Sequence, residues 1–261
     1  MEAGISSLHF IGYDLLDSIR TSADAGFRWV EIWYEQLRPL KQKGKSLVRE
    51  LRATGIRWSI HADMRDLNIT SRNAGIRSES LRQVQETIRY AAELEADFVT
   101  VHPGRAGSTK DSKEDYFPIQ VDSFMILAET ATDAGIPIGV ENMEVMPRAI
   151  VTTWSDLNAL LDAVASPYLG VVLDLAHLYH LPQEEQMVLI DKAGPLRGVH
   201  MSDASAAVAH LLLGEGDYDY GSRARRLATR YTGPVFIEGY TPGQGLSAIS
   251  RLMKAWRDIG L

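Results

Sequence analysis

Leu196-Arg-Gly-Val-His-Met-Ser-Asp203 is the stretch on which the fold turns. An apolar run ends in His200, and an acid follows three residues on. The same grammar recurs along the chain, where short apolar runs end in His61, His102, Glu141, Asp174 and Glu238. The residue before each donor is a large aliphatic: Ile60, Val101, Val140, Leu173, Val199 or Ile237. Successive side chains on a strand point to opposite faces. If the runs are strands, the aliphatics pack on one face and the six donor-type residues share the other. A single His at a strand end is commonly structural. Six runs in phase argue for one metal site assembled from many strands.

Working outward, strands are expected over residues 3–10, Trp29–Tyr34, Arg57–His61, Phe98–Gly104, Pro137–Asn142, Leu169–Asp174, Arg197–His200 and Pro234–Glu238. Helical spacing lies between them: Asp14–Arg20 stopping at Gly26, Glu79–Glu95, a helix ending at Gly135, Ser155–Ala165 capped by Ser155, Gln183–Lys192, Ser222–Arg230 and Leu246–Ile259. The basic segment Arg38–Arg52 reads as a solvated helix with its preceding loop, and Asp203–Tyr220 as a loop with a flexible Gly214-Glu-Gly216. Strand and helix alternate eight times in 261 residues. Such alternation implies parallel strands with crossover helices. Eight units imply a single (β/α)8 TIM barrel over 1–261, with its active site at the C-terminal ends of the strands. The donors sit at those ends in strands three to eight.

Hydrophobic content of 45% and charged content of 23% are those of an ordinary globular chain. No run approaches a membrane span, and Met1-Glu-Ala-Gly lacks the basic start of a signal peptide, so a cytoplasmic protein is expected. Cysteine is absent, which excludes disulfides and thiolate ligands. Metal ligation then falls to imidazole and carboxylate, suited to zinc or manganese and also to magnesium, cobalt or iron. The net charge of −7 offers nucleic acid no general attraction.

Glu141, Asp174, His200 and Glu238 form one donor set, and His61 and His102 can hold a second ion with Glu141 bridging, so one or two ions per chain are expected. His177, His210, Asp203 and Arg105 are candidates for substrate contact or additional ligation, while His9 and Glu31 are candidate supporting or rim residues. Asn142 is expected on the opposite face or in the loop, and Trp29, Trp33 and Tyr34 as core and rim.

With these residues laid out, the chain resembles the xylose isomerase-like TIM-barrel superfamily, which includes sugar phosphate isomerases and epimerases and endonuclease IV. The carriers are Ile60-His-Ala62, Val101-His-Pro-Gly104, Val140-Glu-Asn142, Leu173-Asp-Leu-Ala-His177, Val199-His-Met-Ser-Asp203, His210-Leu-Leu-Leu-Gly-Glu-Gly216 and Phe236-Ile-Glu238. The resemblance implies one metal on Glu141, Asp174, His200 and Glu238, an enediolate formed from a small sugar, sugar phosphate or related hydroxy-keto compound, and Glu141 and Glu238 as the acid/base pair. It also implies His177 at substrate hydroxyls and allows a homo-oligomer. Two alternatives share the scaffold: a metal-dependent lyase or dehydratase, and an endonuclease IV-like abasic-site phosphodiesterase. The latter's third zinc needs an Asp two residues before His210, where Val208 stands. An Arg expected six residues past His200 in ketose epimerases is replaced by Ala206.

Overall fold

Each donor-bearing run forms or leads directly out of a strand. The strands are β1 (Glu2–Ser6), β2 (Trp29–Trp33), β3 (Arg57–His61), β4 (Val99–Val101), β5 (Ile138–Glu141), β6 (Leu169–Asp174), β7 (Leu196–Met201), the hairpin of β8 (Asp203–Ser205) and β9 (Val208–Leu211), and β10 (Pro234–Ile237). This computed structural model describes residues 1–239 and 245–260. β1 to β7 and β10 close into a parallel barrel in the order β1-β10-β7-β6-β5-β4-β3-β2. The connections carry α1 (Leu15–Ala25), α2 (Tyr34–Leu37), α3 (Lys45–Ala53), α4 (Ala74–Glu93), α5 (Phe117–Ala134), α6 (Trp154–Val164), α7 (Gln183–Lys192), α8 (Tyr220–Leu227) and α9 (Ala248–Ile259). The expected α/β TIM barrel is the observed fold. No helix of the described residues is long and apolar enough to cross a membrane.

The two faces of each strand have separate work. Ile60, Val101, Val140, Leu173, Val199 and Ile237 are buried in the main core with helix residues such as Ile19, Leu51, Ile88, Leu127, Leu189 and Leu252. On the alternate phase, Trp29, Phe98, Val172 and Phe236 form a distinct apolar cluster inside the barrel. It lies one or two strand steps before the donors on the same face, so it floors the site. Glycines opposite make the space: a Cβ on Gly4 would stand 2.7 Å from Phe236 Cδ1, and one on Gly198 2.8 Å from Phe98 Cζ.

Local chemistry explains most helix ends and moves several expected ones. Asp14 Oδ1 accepts from Asp17 N at 3.0 Å to start α1, and Gly26 ends it at φ 106°. The cap of α6 is Thr153, two residues before the expected Ser155. Its hydroxyl accepts from Asp156 N while Asp156 accepts from Thr153 N, a reciprocal pair unavailable to Ser155. α4 begins at Ala74 rather than Glu79, because Asn73 Oδ1 takes both Gly75 N and Ile76 N. The segment 203–220 is no plain loop, since β8 and β9 pair antiparallel within it.

Gly139 shares β5 with Glu141, and a Cβ there would lie 2.7 Å from Val172 Cγ2 and 3.3 Å from Val172 N. A branched buried side chain cannot swing aside. We expect Gly139→Ala to destabilise the barrel by about 1–3 kcal/mol through overpacking. Urea unfolding monitored by far-UV circular dichroism measures this, and an unchanged midpoint would contradict the packed floor.

Candidate functional site

The donors meet at the C-terminal mouth of the barrel because each lies at, or directly after, the C-terminal end of a parallel strand on its interior phase. Glu141, Asp174, His200 and Glu238 each offer an atom within 4.8 Å of the others, and all four are buried. His61, His102 and Glu141 form a second such group, and Asp174, His177 and His210 a third. Glu141 is shared by two groups and Asp174 by two.

His200 is the hub. Its Nδ1 lies 3.0 Å from Glu141 Oε1 and 2.9 Å from Glu238 Oε2. On the other side, Nε2 is 2.7 Å from Glu31 Oε2, an ion-pair approach without hydrogen-bond alignment. Glu31 is fully buried, and its other oxygen accepts from Thr100 Oγ1 at 2.6 Å. Glu31 therefore backs the imidazole from beneath the donors. The sequence marks it only as a lone acid on the interior phase of β2, two residues after Trp29.

His61 is held by two contacts. Its Nδ1 faces Ala62 O at 2.8 Å, and its ring stacks on Trp33 at 4.2 Å and 4°. A carbonyl can only accept, so Nδ1 carries hydrogen and Nε2 is left to bind a cation or a proton. That Nε2 is 3.5 Å from Glu141 Oε2, and His102 Nε2 is 3.1 Å from the same oxygen. His177 repeats the arrangement, with Nδ1 2.7 Å from Asn142 O and Nε2 3.0 Å from His210 Nε2. His210 reaches there from β9 with φ 60°, a left-handed conformation unusual outside glycine.

The electrostatics express a demand for positive charge. Burial alone would lower the His200 pKa, but Glu238, Glu31 and Glu141 hold it well above its ordinary value. Burial opposes ionisation of Glu238, yet His200 beside it brings the carboxyl down to about 2. Glu141 is likewise held well below the usual range, chiefly by His200 and His102 against its burial. Asp174 moves up, through burial and then through the Glu238 and Glu141 carboxylates. His9 is different: burial takes it to about 4, so it stays neutral.

These observations test whether a divalent ion suits the residues. Glu141 Oε2, Asp174 Oδ2, Glu238 Oε2 and His61 Nε2 are buried with no hydrogen-bond partner. Orphaned buried acceptors are costly, and a cation would satisfy several together. The donor chemistry and the orphaned atoms fit a divalent metal.

Three expectations change at the mouth. Asp203 joins none of the three donor groups. Its Oδ1 accepts from Ala204 N at 2.8 Å and Tyr218 N at 3.1 Å, and its Oδ2 from Gly214 N at 3.0 Å and Gly216 N at 2.9 Å. The Gly214–Gly216 turn is therefore tethered rather than flexible. Asn142 is buried and neither outward nor in a free loop. Its amide gives Nδ2 to Asp174 O at 3.1 Å and takes Asp174 N at 2.8 Å, imitating a strand rung between β5 and β6. Arg105 sits exposed on the rim, while Val208 is 49% exposed on β9 and has no donor atom to add beside His210. Trp29, Trp33 and Tyr34 are buried.

A family model described as "Xylose isomerase-like TIM barrel" matches residues 19–259. The chain belongs to this family. Uncharacterized protein MJ1311 of Methanocaldococcus jannaschii is 28% identical over 91% of this chain and 83% of its own. A ketose 3-epimerase of Arthrobacter globiformis is 23% identical over 96% of this chain and 86% of its own. Among solved structures, a D-tagatose 3-epimerase-like protein superposes with a TM-score of 0.83 at 24% identity, covering 100% of this chain and 98% of that one. At that identity the superposition bears on the barrel fold of this xylose isomerase-like protein.

Asp203→Asn keeps the size but leaves two of the four backbone N–H groups facing an amide that can only donate. We expect the 203–218 segment to lose order, at about 1–3 kcal/mol for the unmet donors. Hydrogen exchange resolved to that segment reads it directly, and unchanged protection there would overturn the tether.

Proposed function

We propose that the chain is an enzyme that isomerises or epimerises a small hydroxy-keto compound of the sugar class, dependent on a divalent metal. One observation carries this reading. Four donors from four strands present buried oxygens and an imidazole to one point at the barrel mouth, and three of those oxygens have no hydrogen-bond partner. The relative named a ketose 3-epimerase, similar along nearly the whole chain, supports the substrate class.

Glu141, Asp174, His200 and Glu238 would hold the ion, and His61 and His102 flank Glu141 as a second pair of donors. Zinc and manganese suit these ligands best. When bound, the ion would supply Lewis-acid polarisation of adjacent substrate oxygens, acidifying the C–H of the hydroxyl-bearing carbon next to the carbonyl. The chain's own residues then move the proton. Burial opposes ionisation of Glu141 and Glu238 but their imidazole neighbours favour it, so either carboxylate would accept the proton from the carbon. In an isomerisation the same carboxyl, now protonated, would return it to the neighbouring carbon; in an epimerisation the opposite carboxyl would return a proton first taken from a substrate hydroxyl or solvent. His177, close to His210 and Asp174, would contact substrate hydroxyls. The apolar floor of Trp29, Phe98, Val172 and Phe236 excludes water from below.

A phosphodiesterase reading has one observation in its favour, the convergence of His177, His210 and Asp174 into a third donor group. Val208 leaves that group without a further acid, and the net charge of −7 gives a nucleic-acid backbone little attraction.

Proton exchange at the carbon next to the carbonyl, followed by NMR in heavy water with ketoses and their phosphates, tests the reading. The native protein should exchange, chelation should stop it, and added zinc or manganese should restore it. Glu141→Gln and Glu238→Gln should each lose roughly 10²–10⁴ in rate with unchanged circular dichroism. Full exchange in either variant would refute the acid/base assignment.

Glu31 tests the support beneath the ion independently of turnover. Glu31→Gln removes the negative charge behind His200 Nε2 and should weaken zinc binding on the order of 10- to 100-fold. Competition with a chromophoric chelator measures it; unaltered zinc affinity would contradict the role.

A further inference from the structure

Beside the donors, a cavity of about 190 Å³ opens from His102 between the loops that follow β3, β4 and β5. Its wall is mostly apolar, including Met143 and Met146, with charged groups at only a few places. Asp63 is one. It is 7% exposed, its Oδ2 pairs with Arg38, and its Oδ1 has no partner. Arg105 and Arg148 are the others.

The two arginines differ from Arg65 and Arg72 on the neighbouring loops, and Lys110, which among the described residues has no ion-pair partner either, does not line the cavity. Arg65 is matched by Glu35 at 2.9 Å and Arg72 by Asp115 at 3.0 Å. Among the described residues, no carboxylate lies within ion-pair reach of Arg105 or Arg148, although the chain carries an excess of acids. Both are also fixed at the backbone. Arg105 pairs antiparallel with Ala149, and Ala106 N donates to Arg148 O at 2.9 Å. Asn68 clamps Arg105 from the third loop, with Nδ2 on its carbonyl at 2.9 Å and Oδ1 on its amide at 3.0 Å. Arg148 is held at φ 76°, a strained conformation for a residue with a Cβ. The three loops are thus knitted into one wall that presents two unmatched cations to the same cavity. Preformed charges of this kind favour an anion without the cost of ordering the loops.

We propose that this cavity receives the far end of an acidic substrate. The substrate is a polyhydroxy keto compound whose hydroxyl donates to Asp63 Oδ1 and whose phosphate or carboxylate lies against Arg105 and Arg148. The reacting carbon would sit past His102, at Glu141 and Glu238, so the placement rests on the function proposed above. The apolar wall accommodates the carbon chain between the polar ends.

Titration calorimetry of the full chain with D-fructose 6-phosphate, D-fructuronate and D-fructose tests this, since the three share hydroxyls and differ in the anion. At least one acid should bind on the order of 10- to 100-fold tighter than the neutral ketose. Whichever acid leads identifies the anion as phosphate or carboxylate. The double variant Arg105→Gln, Arg148→Gln should abolish the preference, whereas Asp63→Asn should weaken all three ligands and keep it. Equal affinities, a preference that survives the double variant, or no binding of either acid at millimolar concentration would overturn the proposal. The outcome is separable from the isomerase reading: an acid preference without proton exchange at any carbon removes that reading and leaves the anion site standing.

Discussion

Three carboxylates and an imidazole packed within 4.8 Å of one another, out of reach of bulk water, set the constraint that the rest of the barrel mouth obeys. Like charges in a medium of low polarity repel strongly, and desolvation adds to the cost. Positive charge must be supplied, and the surroundings are arranged for it. Glu238, Glu31 and Glu141 raise the pKa of His200 well above its ordinary value, and His61 and His102 aim Nε2 atoms at the remaining oxygen of Glu141. Removing a partner from such a cluster leaves an uncompensated buried charge, which is far more damaging than losing one surface ion pair. The neighbouring groups accordingly fix ring planes and tautomers: Ala62 O and Trp33 for His61, Asn142 O for His177, and Glu31 for His200.

The barrel was legible in the sequence because strand periodicity and donor position coincide. Ile60 beside His61, Val199 beside His200 and Ile237 beside Glu238 give inside and outside in a single step. The same phase separates the helix-facing core from the aromatic floor. What escaped has no periodicity. The β8–β9 hairpin is too short for an alternating pattern, and its order depends on one carboxylate, Asp203, reaching backbone N–H groups as far as Tyr218. Asn142 was similarly opaque: an amide after a strand end marks a loop as often as a rung, and only the position of Asp174 decides. The α6 cap shows the local version, where Ser155 and Thr153 are both good caps and the acid at Asp156 selects Thr153.

Departures from the family pattern carry as much information as the matches. Val208 and Ala206 lie on or next to the hairpin that brings His210 to the mouth, whereas the donors on the barrel strands keep full complementarity. Barrel enzymes commonly diverge in their βα loops while the strand ends stay committed to the core chemistry. Here the hairpin, the three knitted loops and Arg148 in its strained turn form a rim over the donor-bearing strand ends.

The aromatic floor has a consequence for proton traffic. Trp29, Phe98, Val172 and Phe236 stop the barrel from below, and Gly4, Gly139 and Gly198 let them fill it without gaps. Among the described residues, this apolar cluster closes the barrel side of the donor cavity. Under the function proposed above, a proton taken from a ligand's carbon would meet apolar side chains rather than water on that side. While the mouth is covered, isotope label would be returned to the molecule it came from more often than it is washed out, so stereochemical inversion and solvent labelling need not run at the same pace.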